Sequence, residues 1–224
     1  MRLAPVFVLF LLAGFVAAKP ILIIVDASGS MAGTKIDDAK QAAIGVVNSA
    51  NDEIALMVYT DCDSGGDPSS GSISVWQGFT TDKQALIGKI QQITSESSTP
   101  IANAITEGAA YIQSAKGSGA IVLLTDGEET CGGDPVQAAT DARAQGVDVI
   151  NVVGFQLDQS AQTQMQSVSS AGGGRYYNAS DASQLNQALQ QAYQTAGGGG
   201  SGFSCCGAAA VLVGLAGFVL SRKE

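Results

Sequence analysis

Residues 20–26 read PILIIVD and residues 120–126 read AIVLLTD, two apolar runs that each close on an aspartate. A run with no polar alternation is the mark of a strand covered on both faces, because neither set of alternating side chains meets water. Around these two, other short apolar runs alternate with longer amphipathic stretches, the pattern of parallel strands joined by helices, so the fold class is α/β. Strands are expected over residues 20–26, 53–60, 72–77, 120–126, 147–153 and 175–178. Helices are expected over residues 35–48, 81–93, 100–114, 135–145, 160–170 and 182–196. The Gly/Ser/Asp-rich loop ahead of SISVWQ (72–77) permits a hairpin return, which makes that run a short antiparallel edge strand.

Open α/β sheets bind ligands beyond the carboxyl ends of their strands, where the strand order reverses. With the doubly wound order 3-2-1-4-5-6, the first and fourth strands are neighbours at that point, and Asp26 and Asp126 converge. Directly after Asp26 come Ala27-Ser28-Gly29-Ser30, two hydroxyls at alternate positions of a loop that Gly29 allows to turn. Thr99 precedes Pro100 and is expected to cap the following helix, which adds a third hydroxyl from another loop. Two carboxylates and three hydroxyls make a hard, oxygen-only donor set that suits a divalent cation, Mg²⁺, Mn²⁺ or Ca²⁺. Each fragment alone also has an ordinary structural role: Ser30 and Thr99 suit helix caps, and an aspartate before glycine suits a turn. Their combination, with a strand before each aspartate and a helix after the threonine, points to a metal site.

These residues resemble the metal-ion-dependent adhesion site of the von Willebrand factor type A family, which reads Asp-x-Ser-x-Ser, then a distant Thr, then a distant Asp. Asp26, Ser28 and Ser30 match the first element, Thr99 in STPI (98–101) the second, and Asp126 in LTDG (124–127) the third. The resemblance covers residues 20–196, and VGF (153–155) followed by GGRYY (173–177) is similar to the end of the fold in bacterial-type members. It implies a Rossmann-like, mostly parallel six-stranded sheet with helices on both faces. It also implies one Mg²⁺ held directly by Ser28, Ser30 and Thr99, with Asp26 and Asp126 reaching it mainly through water. A carboxylate from a protein ligand would then complete the shell, which makes the chain a metal-dependent adhesion module and not an enzyme. Some relatives continue Cys-Gly-Gly-Asp-Pro with a second cysteine, whereas this chain has Val136 there.

Composition narrows the function classes further. Residues 19–202 carry eight basic and nineteen acidic side chains, a net charge of −11, so nucleic acid is not a partner while cations are attracted. The chain contains no histidine, which excludes a Ser-His-Asp triad, a Cys-His pair and an imidazole-ligated zinc site. Hydrolysis by a metal-activated water would need Glu128 or Glu129 as base, and both read better as solvated loop acids. Cys62 and Cys131 belong to no short-spaced cysteine motif, so a disulfide between them is the natural pairing in an exported protein. Asp61, Asp63 and Asp67 flank Cys62, and Glu128, Glu129 and Asp134 flank Cys131; they read as a solubilising rim, an added Ca²⁺ site or a surface that prefers partially basic partners.

Both ends carry export features. Residues 1–18 have Arg2, an apolar run and Ala17-Ala18, the layout of a signal peptide. A type A domain over 19–196 is then followed by a Gly/Ser linker over 197–202, and residues 203–220 form an uncharged run of 18. Such a run spans ~27 Å as a helix at roughly 1.5 Å per residue, just enough for a membrane, with the basic tail 221–224 kept cytoplasmic. This end is similar to bacterial sorting signals, while its charged terminus fits a GPI signal poorly. Cys205 and Cys206 at the edge of the run suit lipidation, an interchain disulfide or simple helix packing. The expected place is the cell surface, tethered by a membrane helix or released from it. The alternative reading is an accessory or sensor subunit that docks on a membrane complex through its type A domain and membrane helix.

Overall fold

The computed structural model describes residues 19–62, 72–96 and 98–197. Six strands, β1 (Ile21–Asp26), β2 (Ile54–Tyr59), β3 (Ile73–Thr80), β4 (Gly119–Thr125), β5 (Val147–Phe155) and β6 (Gly173–Ala179), form one sheet ordered β3-β2-β1-β4-β5-β6. Every neighbouring pair is parallel except β2 and β3, so the expected topology holds. The antiparallel strand is longer than the sequence pattern suggests, with eight residues that run on through Gly78 and Phe79. Its extension has a packing cause: the Phe79 ring stacks on Tyr111 at 5.3 Å between centroids, and the Tyr111 hydroxyl accepts from the Phe79 amide.

Six helices cover the sheet: α1 (Thr34–Ser49), α2 (Lys83–Gln91), α3 (Ile101–Lys116), α4 (Pro135–Ala144), α5 (Gln159–Ala171) and α6 (Ala182–Ala196). On one face Ile21, Ile23 and Val25 of β1 pack with α1, α2 and α6; on the other Leu22 and Ile24 pack with α3, α4 and α5. Burial on both faces is the physical reason that β1 and β4 lack polar alternation. Gly108 of α3 brings that helix close to β1, since an added Cβ would lie 3.0 Å from the Ile24 and Leu22 methyls.

Part of the acidic excess serves the helix ends. Asp82, Asp134, Asp158 and Asp181 cap α2, α4, α5 and α6, each accepting from backbone amides of the first turn. A carboxylate there satisfies donors that the helix leaves unpaired and complements its dipole, at roughly 1 kcal/mol per cap. Asp134 is thereby spent on structure, not on the rim.

No helix among the described residues is long and apolar enough to cross a membrane. The expected signal peptide 1–18, the linker beyond Gly197, the apolar run 203–220, the tail 221–224, Asp63, Asp67, Cys205 and Cys206 lie outside the described residues.

Candidate metal centre

Asp26 closes β1 at the centre of the sheet, opposite Tyr59 of β2 and beside Thr125 of β4. Its carboxylate is fully buried, accepting from the Ser28 amide at 2.8 Å and the Thr125 hydroxyl at 2.6 Å. Burial raises its pKa above the ordinary value, and the hydrogen bonds from Ser28 and Thr125 only partly offset that. The ion pairs among the described residues are Lys19–Asp148, Lys35–Asp126, Lys40–Asp37 and Lys116–Glu53, so no basic side chain neutralises Asp26. The neighbouring Tyr59 hydroxyl is buried without a hydrogen-bond partner among the described residues. Desolvation first and the Asp26 charge second push that phenol well above its ordinary range.

The loop after Asp26 folds back on the carboxylate through the Ser28 amide, as an aspartate turn does. Gly29–Met31 then form a single 3-10 turn that brings Ser30 to the same side as Ser28, their hydroxyl oxygens 3.1 Å apart. The Ser30 hydroxyl donates to Asp126 Oδ1 at 2.6 Å, which joins the first loop to the one after β4. The expectation that Gly29 provides the special turn is corrected here. The positive φ belongs to Gly33, at +79° before α1, because there the chain must reverse into the helix.

Thr99 does not cap α3 as expected. The cap position falls on Pro100, and no side chain caps from there. The reason lies across the site: Glu129 Oε2 accepts from the Ala102 amide at 2.7 Å and serves the helix end in place of a local hydroxyl. The Thr99 hydroxyl is consequently left without a hydrogen bond among the described residues, although the residue is buried. It faces the loop after β4, where an added Cβ at Gly127 would lie 3.8 Å from Thr99 Oγ1. Backbone bonds hold it there from three directions. Thr99 N donates to Thr130 Oγ1 at 2.9 Å and Thr130 N returns a bond to Thr99 O at 3.1 Å. Ser98 N donates to Thr60 O, and Glu96 N to Ala27 O.

Cys62 and Cys131 are joined by a disulfide, with Cα atoms 5.3 Å apart. The bridge therefore ties the chain just after Thr60 to the chain just after Thr130, the two segments that flank the Thr99 loop. Glu129 spends its other oxygen on the Cys131 amide, and Glu128 accepts from the Ser160 hydroxyl.

Pattern reading did not single out Lys35. Its ammonium lies 2.6 Å from Asp126 Oδ2, and the Asp126 side chain is fully covered. The available signal was its position in the first turn of α1, where a cation opposes the helix dipole and needs another reason to be present.

Two carboxylates and three hydroxyls thus gather from three loops at one end of the sheet. Among the described residues no group of three His, Cys, Asp or Glu side chains could hold a metal, and the donors gathered here are two carboxylates and three hydroxyls. Such a set fits a hard divalent cation. The buried, unneutralised Asp26 and the unspent Thr99 hydroxyl are two features that a cation would satisfy. The sequence pattern of the von Willebrand factor type A domain matches residues 21–192.

The chain belongs to the von Willebrand factor type A domain family.

This type A domain is similar to the uncharacterized protein YwmC of Bacillus subtilis (strain 168), at 29% identity over 177 residues, 73% of this chain and 78% of that one. Among solved structures it resembles the pilus adhesin SpaC from Lactobacillus rhamnosus GG in its open conformation, with a TM-score of 0.65 and 17% identity. The match covers 81% of this chain and 30% of SpaC. It also resembles proximal thread matrix protein 1 from the mussel byssus with a zinc-occupied adhesion motif, with a TM-score of 0.62 and 18% identity. That match covers 79% of this type A domain's chain and 45% of the other.

Proposed function

We propose that this type A domain is an exported, surface-displayed binding module that recognises a protein ligand through one divalent cation. Ser28, Ser30 and Thr99 serve as direct ligands, with Asp26 and Asp126 behind them. The observation that carries this reading is the pairing of a fully buried carboxylate with no cationic partner among the described residues, Asp26, with a Thr99 hydroxyl that keeps contact with solvent and makes no hydrogen bond among them. Leaving a buried carboxylate uncompensated is costly, and a cation beside it removes that cost while the Thr99 hydroxyl is available to ligate.

When bound, the cation supplies an electrophilic coordination place for an acidic group of the ligand, and Mg²⁺ suits the oxygen donors best. The protein's own residues orient the hydroxyls, exclude water from Asp26 and fix the Thr99 loop. Binding is the reading and turnover is not, because Glu129 is committed to backbone amides and Glu128 to Ser160. The type A fold of a pilus adhesin and of a byssal matrix protein supports an adhesive role. Residues 1–18 as signal peptide and 203–220 as membrane or sorting segment would put the domain outside the cell.

Calorimetric titration of Mg²⁺, Mn²⁺ and Ca²⁺ tests the reading before any ligand is known. The wild-type chain binds one ion, and Asp26→Ala loses that binding. Equal heats from both proteins, or none from the wild type, would reject the site.

A further inference from the structure

Lys35–Asp126 differs from every other ion pair among the described residues. In it alone the carboxylate side chain is fully covered, while the lysine keeps 26% of its side chain exposed. The carboxylates of the other three pairs are 37%, 75% and 45% exposed. Both oxygens of Asp126 are occupied from within the protein, Oδ1 by the Ser30 hydroxyl and Oδ2 by the Lys35 ammonium. Asp26 has no such partner among the described residues. The formal charge of the cluster is therefore that of one carboxylate, since the ammonium balances the second. Lys35 stands in the first turn of α1, where the helix dipole disfavours it, so Asp126 and not the helix explains its placement.

We infer that Lys35 sets the charge that a bound cation feels and thereby tunes the site toward acidic ligands. The inference rests on the cation reading above. By balancing Asp126, Lys35 weakens the hold on a divalent ion but leaves that ion more of its positive charge for an incoming carboxylate. Without the lysine, two unbalanced carboxylates would hold the ion more tightly and blunt its attraction for an anion. A unit charge beside a doubly charged ion at a partly exposed site changes affinity by about three- to tenfold, the lower values applying as salt screens it.

The test uses the full chain as wild type, Lys35→Gln and Lys35→Arg, with Lys35→Met as a second neutral variant and circular dichroism to establish folding. Gln can still donate to Asp126 without carrying charge, and Arg keeps the charge. Titration with Mg²⁺ is expected to show Gln and Met binding about three- to tenfold more tightly than wild type and Arg binding like wild type. With Mn²⁺ bound, acetate should displace metal-bound water, read by proton relaxation, at lower concentration in wild type than in Gln. In chelator the Gln variant should melt below wild type, and Mg²⁺ should close the gap.

Neutral variants that bind Mg²⁺ no more tightly than wild type would overturn the role of Lys35 alone, because the wild type would still bind. Weaker binding by both Gln and Arg would make Lys35 an orienting residue and also overturn it. No Mg²⁺ or Mn²⁺ binding by the wild type would remove this inference together with the cation reading.

Discussion

The Thr125 hydroxyl donates to Asp26 Oδ2 at 2.6 Å across the β1/β4 seam, so the last residue of one central strand supports the buried charge at the end of the other. Removing that donor leaves a fully buried carboxylate with less compensation, at a cost of about 1–3 kcal/mol. Thr125→Val should lower the unfolding free energy in chelator by that amount, while Thr125→Ser stays near wild type. Urea denaturation measures the difference, and an unchanged midpoint for Val would mean that the bond does not support Asp26.

Thr99 behaves in the opposite way. Its hydroxyl has no hydrogen bond to lose among the described residues and caps no helix, so Thr99→Val exchanges a solvent-reachable hydroxyl for a methyl of the same shape. Stability in chelator should stay within about 1 kcal/mol of wild type or rise. Mg²⁺ affinity should fall by about tenfold or more, the scale of one lost ligand. Parallel denaturation and calorimetry separate the two effects; a large stability loss with intact metal binding would assign Thr99 to the fold.

Acidification tests Asp26 itself. Burial holds its carboxyl above the ordinary value of 3.8, so the folded, metal-free protein takes up that proton more readily than the unfolded chain. For an acid raised in this sense, stability is lost as pH rises from the unfolded value through the folded one. In chelator, Asp26→Asn should therefore gain stability relative to wild type as pH rises above the ordinary carboxyl value of 3.8. Saturating Mg²⁺ should close or reverse the gap, because the cation stabilises only the folded form that binds it. Thermal melts of both proteins across this range check the sign, and a pH-independent difference would contradict it.

Much of this arrangement was legible before any coordinates. The runs PILIIVD and AIVLLTD declare their burial on both faces, and the reversal of strand order between β1 and β4 brings Asp26 and Asp126 to one end. Ser28 and Ser30 follow at a spacing that one 3-10 turn converts into a shared side. What stayed hidden depends on contacts between distant segments. Thr99 looked like a cap because local sequence cannot reveal that Glu129, from another loop, takes over the end of α3. Lys35 looked like an ordinary helical lysine because its partner lies 91 residues away. The extension of β3 depends on Tyr111, a residue of α3.

The Cys62–Cys131 bridge closes a separation of 69 residues, and removing a cross-link of this kind costs about 2–4 kcal/mol. Its ends adjoin Thr60 and Thr130, which bond the backbone on either side of the Thr99 loop. A Cys62→Ser, Cys131→Ser double variant should therefore unfold at lower urea and also bind Mg²⁺ more weakly. Lower stability with unaltered Mg²⁺ affinity would show that the Thr99 loop holds its position without the bridge.

In the proposed site, oxygens from three loops surround one ion. Crystals grown with Mn²⁺ and measured at its absorption edge test this most directly. A single anomalous peak is expected among the hydroxyl oxygens of Ser28, Ser30 and Thr99, at the roughly 2.0–2.6 Å typical of hard cations and oxygen ligands. A map with no peak there, or with its only peak on the outer acids Glu128 and Asp134, would contradict it.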